Sequence, residues 1–161
     1  MARLLTQARV ILLLMAFSSM LQGIVVEMSL EQLAQEAELV LVGRVESVKG
    51  LRRGRGIVSQ ATLRAHRVLK GQLDLEKPIT VEFPGGQVGQ ESLRIEDSPD
   101  YRPGEEVVAF LKKLSGSIAY DTVGAFQGKL LIRKGMVERH NLPPEAFLRR
   151  LQIILQQQRK P

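Results

Sequence analysis

Leu39-Val40-Leu41-Val42-Gly43-Arg44-Val45-Glu46-Ser47-Val48 decides the fold of this chain. Its first four residues are apolar without a break, so the segment begins as a strand covered on both faces. Glycine then interrupts at position 43, and a glycine inside a strand commonly marks a bulge or sharp bend. From Arg44 to Val48 the pattern alternates, as in a half-buried strand. The stretch predicts one long strand, doubly buried at its start and coiled at Gly43. Such a strand can serve both halves of a small barrel.

Downstream, Lys49-Gly50-Leu51-Arg52-Arg53-Gly54-Arg55-Gly56 reads as a flexible basic hairpin loop. The following strand carries apolar Ile57, Ala61, Leu63 and Ala65 against polar Gln60, Thr62, Arg64 and His66, with Ser59 the one exception. Pro78 opens another strand, Ile79-Thr80-Val81-Glu82-Phe83, which Pro84-Gly85-Gly86 breaks. Leu93 and Ile95 alternate with Arg94 and Glu96 in a weaker strand, and a polar loop covers 97–102. Pro103-Gly104 fits the two central positions of a type II turn. Val107-Val108-Ala109-Phe110-Leu111 is apolar throughout, which predicts a second doubly covered strand. Short strands are expected over 118–123 and 129–133, with Met136-Val137 extending the last.

Helices are expected only at the flanks. Ser29-Leu30-Glu31-Gln32 is a capping box ahead of the stripe Leu30, Leu33, Ala34 and Ala37. Pro143-Pro144-Glu145 opens a helix whose Phe147, Leu148, Leu151, Ile154 and Leu155 share one face, and which ends on Arg159 and Lys160. The sequence therefore predicts a mainly β domain, a small OB-like and partly open barrel, with a short N-terminal helix and a C-terminal amphipathic helix. A β-sandwich is the alternative. In domain terms, 1–23 is a signal peptide, 24–140 the barrel with its leading helix, and 141–161 the C-terminal helix packed on the barrel.

Several strings carry a resemblance: Ala37-Glu38-Leu39-Val40-Leu41-Val42-Gly43-Arg44-Val45, Arg67-Val68-Leu69-Lys70-Gly71, Ile79-Thr80-Val81-Glu82-Phe83-Pro84-Gly85-Gly86, the segment from Pro103 through Leu111, and Val123-Gly124-Ala125-Phe126-Gln127-Gly128-Lys129. Together, over residues 29–139, they resemble a group of uncharacterised secreted bacterial proteins. Their order is remotely similar to the netrin-like barrel of tissue inhibitors of metalloproteinases. The resemblance implies an OB-like barrel. Those inhibitors act through a disulfide-tethered N-terminal cysteine, and this chain has no cysteine, so no functional residue carries over.

The start of the chain predicts export. Arg3 and Arg9 precede Val10-Ile11-Leu12-Leu13-Leu14-Met15-Ala16-Phe17, and small residues Ser18 and Ser19 follow. A charged start, a short apolar run and a small-residue exit make a signal peptide, and the run is shorter than the about 20 residues a membrane span needs. Destination is then the periplasm or the medium, with membrane contact only if the segment stays uncleaved. Loss of Arg3 and Arg9, with no acid in the same stretch, leaves about +4 of the chain's formal +6. That charge is modest and dispersed, and without tryptophan there are few stacking platforms, so specific nucleic-acid binding is not expected.

Residues able to do chemistry are sparse. The lack of cysteine excludes thiol catalysis and zinc–thiolate sites. His66 falls on the wet face of its strand and His140 in a polar turn beside Asn141. Both read as surface residues without a visible catalytic partner. Glu96, Asp97, Asp100, Glu105 and Glu106 crowd one region, where a calcium loop or a hydrolase acid at Asp97 or Glu105 could be sought. Their spacing fits no known calcium loop, and a solvated acidic loop accounts for them. Pro84-Gly85-Gly86-Gln87-Val88-Gly89 lacks the lysine and helix of a phosphate loop and reads as a wide turn at a barrel rim. No cofactor, metal or catalytic residue is expected.

The expectation is an exported, non-enzymatic domain that binds a protein or peptide partner of the envelope or medium through its rim loops. Candidate contacts are Arg52, Arg53 and Arg55 on the basic loop and Pro84, Gly85, Gly86 and Gln87 on the glycine-rich one. Inhibition of a secreted protease by either loop is an alternative. Weak attachment of residues 52–55 to an anionic surface is another.

Overall fold

The computed structural model describes residues 27–158. The expected signal peptide and the helix end at Arg159 and Lys160 lie outside them. None of the described helices is long and apolar enough to cross a membrane.

Helix α1 (Leu30–Glu36) starts on the capping box read from the sequence: Ser29 Oγ accepts from the Gln32 N–H, and Gln32 Oε1 accepts from the Ser29 N–H. Among the described residues nine strands follow: β1 (Leu39–Arg53), β2 (Gly56–Lys70), β3 (Ile79–Pro84), β4 (Gly86–Val88), β5 (Glu91–Leu93), β6 (Glu106–Lys113), β7 (Tyr120–Thr122), β8 (Lys129–Arg133) and β9 (Met136–Val137). A short 3-10 turn, Ala125–Gly128, precedes β8, and helix α2 (Pro144–Gln158) ends the description.

The main sheet runs β1-β2-β3-β7-β6 and returns to β1, so five strands close a barrel, with β8 and β9 added beyond β6. The sandwich alternative falls. The expected opening in the barrel survives only as a thin seam, since β3 and β7 meet in parallel at the single pair Val81–Tyr120.

Closure explains the two doubly apolar runs. Leu39, Leu41 and Val45 of β1 and Val107, Ala109 and Leu111 of β6 point into the barrel with Leu63, Val81 and Tyr101. Between them, Val40, Val42, Val108 and Phe110 point outward into a second core, shared with Leu33 of α1 and Phe147 and Leu151 of α2. Two apolar layers therefore meet across one sheet. The predicted stripe of α2 is buried in full, which at about 25 cal/mol per Å² is a main reason the helix docks.

At Gly43 the backbones of β1 and β2 approach closely, since an added Cβ would sit 2.7 Å from the Arg64 carbonyl oxygen. The pairing register shifts between Val40 and Leu41, again at Gly43, and a third time between Val45 and Ser47. The last shift overturns the simple alternation expected after Arg44. Glu46 is the extra residue of a bulge, and beyond it the inward positions change from odd to even.

The structure corrects further expectations. Residues 49–53 and 56 are strand, not loop, and only Gly54-Arg55 turn. Gly54 has φ +57° at the first turn position, as a two-residue hairpin of type II′ requires. Of the wide turn expected over 84–89, Pro84 ends β3 and Gly86–Val88 form β4, paired with β5 through a second two-residue turn at Gly89-Gln90. The weak strand expected at Leu93 to Glu96 ends at Leu93 and joins no barrel strand. Within the expected polar loop, Tyr101 is fully buried. Ile118 stands 88% exposed ahead of β7 instead of starting it.

Candidate functional site: a cleft under the long hairpin

The bulge at Glu46 divides the β1–β2 hairpin into a part inside the barrel and an arm beyond it. On the arm, Val48, Gly50 and Arg52 face the inner side, opposite Ala61, Ser59 and Ile57. The β4–β5 hairpin lies against this inner side. Contact is close enough that a Cβ on Gly50 would come within 2.0 Å of the Gln87 carbonyl oxygen, and one on Gly86 within 1.9 Å of Ser59 Oγ. Only glycine fits at these two places.

Polar contacts fix the hairpin where the glycines admit it. Ser59, buried among apolar neighbours, donates to the Gly85 carbonyl at 2.8 Å, and the Gly85 N–H donates to the Ile57 carbonyl at 2.9 Å. Ser98 Oγ donates to the Pro84 carbonyl at 2.8 Å. Arg52 pairs with Glu91 on β5. Ser59, the break in an apolar alternation, is thus the residue that holds the glycine segment.

Between the arm, this small hairpin and residues 94–102 lies a cleft of about 520 Å³. Phe83 and Tyr101 belong to its lining as a tilted ring pair 5.6 Å apart, and Leu93 and Ile95 are half-exposed at its side. Val48 and Gly50 contribute from β1, and Arg94, Glu96, Asp100 and Arg102 supply charge. Asp100 and Arg102 satisfy each other at 2.7 Å. Below, Tyr101 shares a 3.0 Å hydrogen bond with Thr122, and burial pushes its hydroxyl far above the ordinary tyrosine range. Lys129 lies over the Tyr101 ring at 5.0 Å and pairs with Glu105 at 2.5 Å. These buried contacts set the loop's path and leave the cleft mouth open.

The seven residues expected to bind do not form one surface. Pro84, Gly85, Gly86 and Gln87 all line the cleft, but as a fixed wall. Adjacent strand positions send Arg52 and Arg53 to opposite faces. Arg52 reaches inward to Glu91, while Arg53 reaches outward to Glu82, its Nη2 donating at 2.9 Å. Glu82 has a side chain only 10% exposed and also accepts from Gln60 at 3.2 Å. Arg55 is exposed at the turn. A three-arginine grip is therefore not assembled.

The acidic residues likewise disperse: Asp100 to Arg102, Glu105 to Lys129, and Glu106 to His66 at 3.4 Å. Among the described residues no group of three or more histidine and carboxylate side chains could hold a metal ion. His140 is no plain surface residue, since its ring packs 4.8 Å from that of Phe147. Burial, then Arg139 and Arg150, hold it below the ordinary histidine range. Neither histidine lines the cleft. Sequence reasoning missed Val48, Leu93, Ile95 and Tyr101; the glycine spacing around Gly50 and Gly86 was the available signal. No family model matches the chain, and no curated protein matches it significantly.

Proposed function

We propose that this is an exported, non-enzymatic domain that binds a peptide or a peptide-like segment of a partner protein in the cleft beneath its long hairpin. One observation carries the reading. A cavity of about 520 Å³ combines the exposed aliphatic side chains of Leu93 and Ile95 and a set of polar and charged groups with main chain brought close by glycine, and its volume falls within the roughly 300–1,000 Å³ of ligand pockets. The start of the sequence supports export.

Peptide selection tests the binding. Displayed random heptapeptides are selected on the purified domain, and their contacts are mapped by amide shift changes. The reading expects perturbation at Leu93, Ile95 and Tyr101, and loss of binding in Leu93→Glu. Selected peptides that bind elsewhere, or remain bound to that variant, would refute it. Export is tested separately: residues 1–23 fused to a phosphatase active only outside the cytoplasm should give activity, and an inactive fusion would contradict it.

A further inference from the structure

The arm of β1 has one unused edge. Inside the barrel β1 is paired on both sides, by β2 and by β6 up to Arg44–Glu106, and the last bonds on the β6 side are Val45 N–H to the Glu105 carbonyl and Gly104 N–H to the Val45 carbonyl. From Ser47 onward only β2 is a ladder partner. The two-residue turn closes on Arg53 and Gly56, so hydrogen-bonded pairs fall at 53, 51, 49 and 47. Main-chain N–H and C=O groups of Val48, Gly50 and Arg52 therefore point away from β2, and no described residue bonds them.

A row of unpaired strand groups is a template for another strand. Val48 and Gly50 also line the cleft, so a strand laid along this edge would turn alternate side chains into it. Main-chain bonds would then give affinity, and the cleft would select those side chains.

Charge decides the occupant. Lys49 is exposed in the middle of the edge, and Arg55 is exposed at its end. Neither makes an ion pair among the described residues, whereas Arg52 and Arg53 have Glu91 and Glu82. A second copy would add another unpaired Lys49 and Arg55 to the same edge, and like charges on neighbouring strands repel. An acidic strand meets the opposite situation. Resting on the cleft reading above, the geometry points to strand addition: β1 residues 47–52 pair with an extended acidic segment of a partner, whose alternate apolar side chains enter the cleft.

The test uses fluorescence anisotropy with three labelled nine-residue peptides: glutamate alternating with valine, lysine alternating with valine, and the glutamate peptide methylated on alternate backbone nitrogens. The acidic peptide should bind, the basic one at least about fivefold more weakly, and methylation should cost about tenfold or more. Lys49→Glu, at an exposed position, should reverse the charge preference. Equal binding of the methylated peptide overturns strand addition and leaves the cleft reading standing if Leu93→Glu still abolishes binding. Unchanged charge preference in Lys49→Glu, or no binding of the acidic peptide at millimolar concentration, also overturns strand addition. The heptapeptide selection judges the cleft independently.

Discussion

The two ends of the β1–β2 hairpin are one continuous ladder doing different work. Inside the barrel, β1 has partners on both edges and apolar packing on both faces. Beyond the bulge it keeps one partner and one covered face, and that face is covered by a separate two-stranded piece. Stability should therefore reside in the first part, and adaptability in the second.

Truncation inside the barrel sharpens this contrast most. Phe110→Ala removes a fully buried side chain from the core between sheet and helices and should cost about 3–5 kcal/mol in denaturant unfolding. Gly50→Ala should cost about 1–3 kcal/mol, because β4 must retreat from the new methyl group. Its signature is local: amides of 86–93 should exchange faster while those of β6 keep their protection. Equal acceleration in both places would break the distinction.

Arg53→Ala leaves Glu82 nearly buried without its guanidinium partner and should destabilise by about 1–2 kcal/mol. Arg52→Ala, whose partner Glu91 is well exposed, should cost under about 1 kcal/mol. A pair of equal values would mean that the two faces of the arm are equally solvated.

The smallest effect is a pH slope far from the arm. His140 is held below its ordinary range when folded, so the unfolded chain binds more protons. Stability should be complete above the unfolded value of about 6.5 and decline as pH falls through that value toward the folded one. His140→Phe should remove this part of the slope, as followed by thermal unfolding between about pH 5 and 8.

The barrel was legible because its signals are local and repeated. The apolar runs at 39–42 and 107–111 can be satisfied only between two cores, and the capping box and the α2 stripe behave as their spacing demands. The arm was not legible for equally physical reasons. A bulge at Glu46 leaves no compositional trace, yet it reverses every inward position after it. Arg52 and Arg53 look like one basic patch in sequence, while strand geometry separates them by the thickness of a sheet. Tyr101 sits among polar neighbours in a loop, and its burial depends on Phe83, Thr122 and Lys129 arriving from three strands. Ser59 was visible as an anomaly, but its meaning required the glycine segment to be placed against it.

Amide exchange at the open edge is the most direct measurement of the account. Free protein should exchange rapidly at Val48, Gly50 and Arg52 and slowly at the intervening Lys49 and Leu51. With the glutamate–valine peptide bound, the fast set should become protected. Alternate protection already present without peptide, or protection on binding that bypasses these three amides, would contradict it.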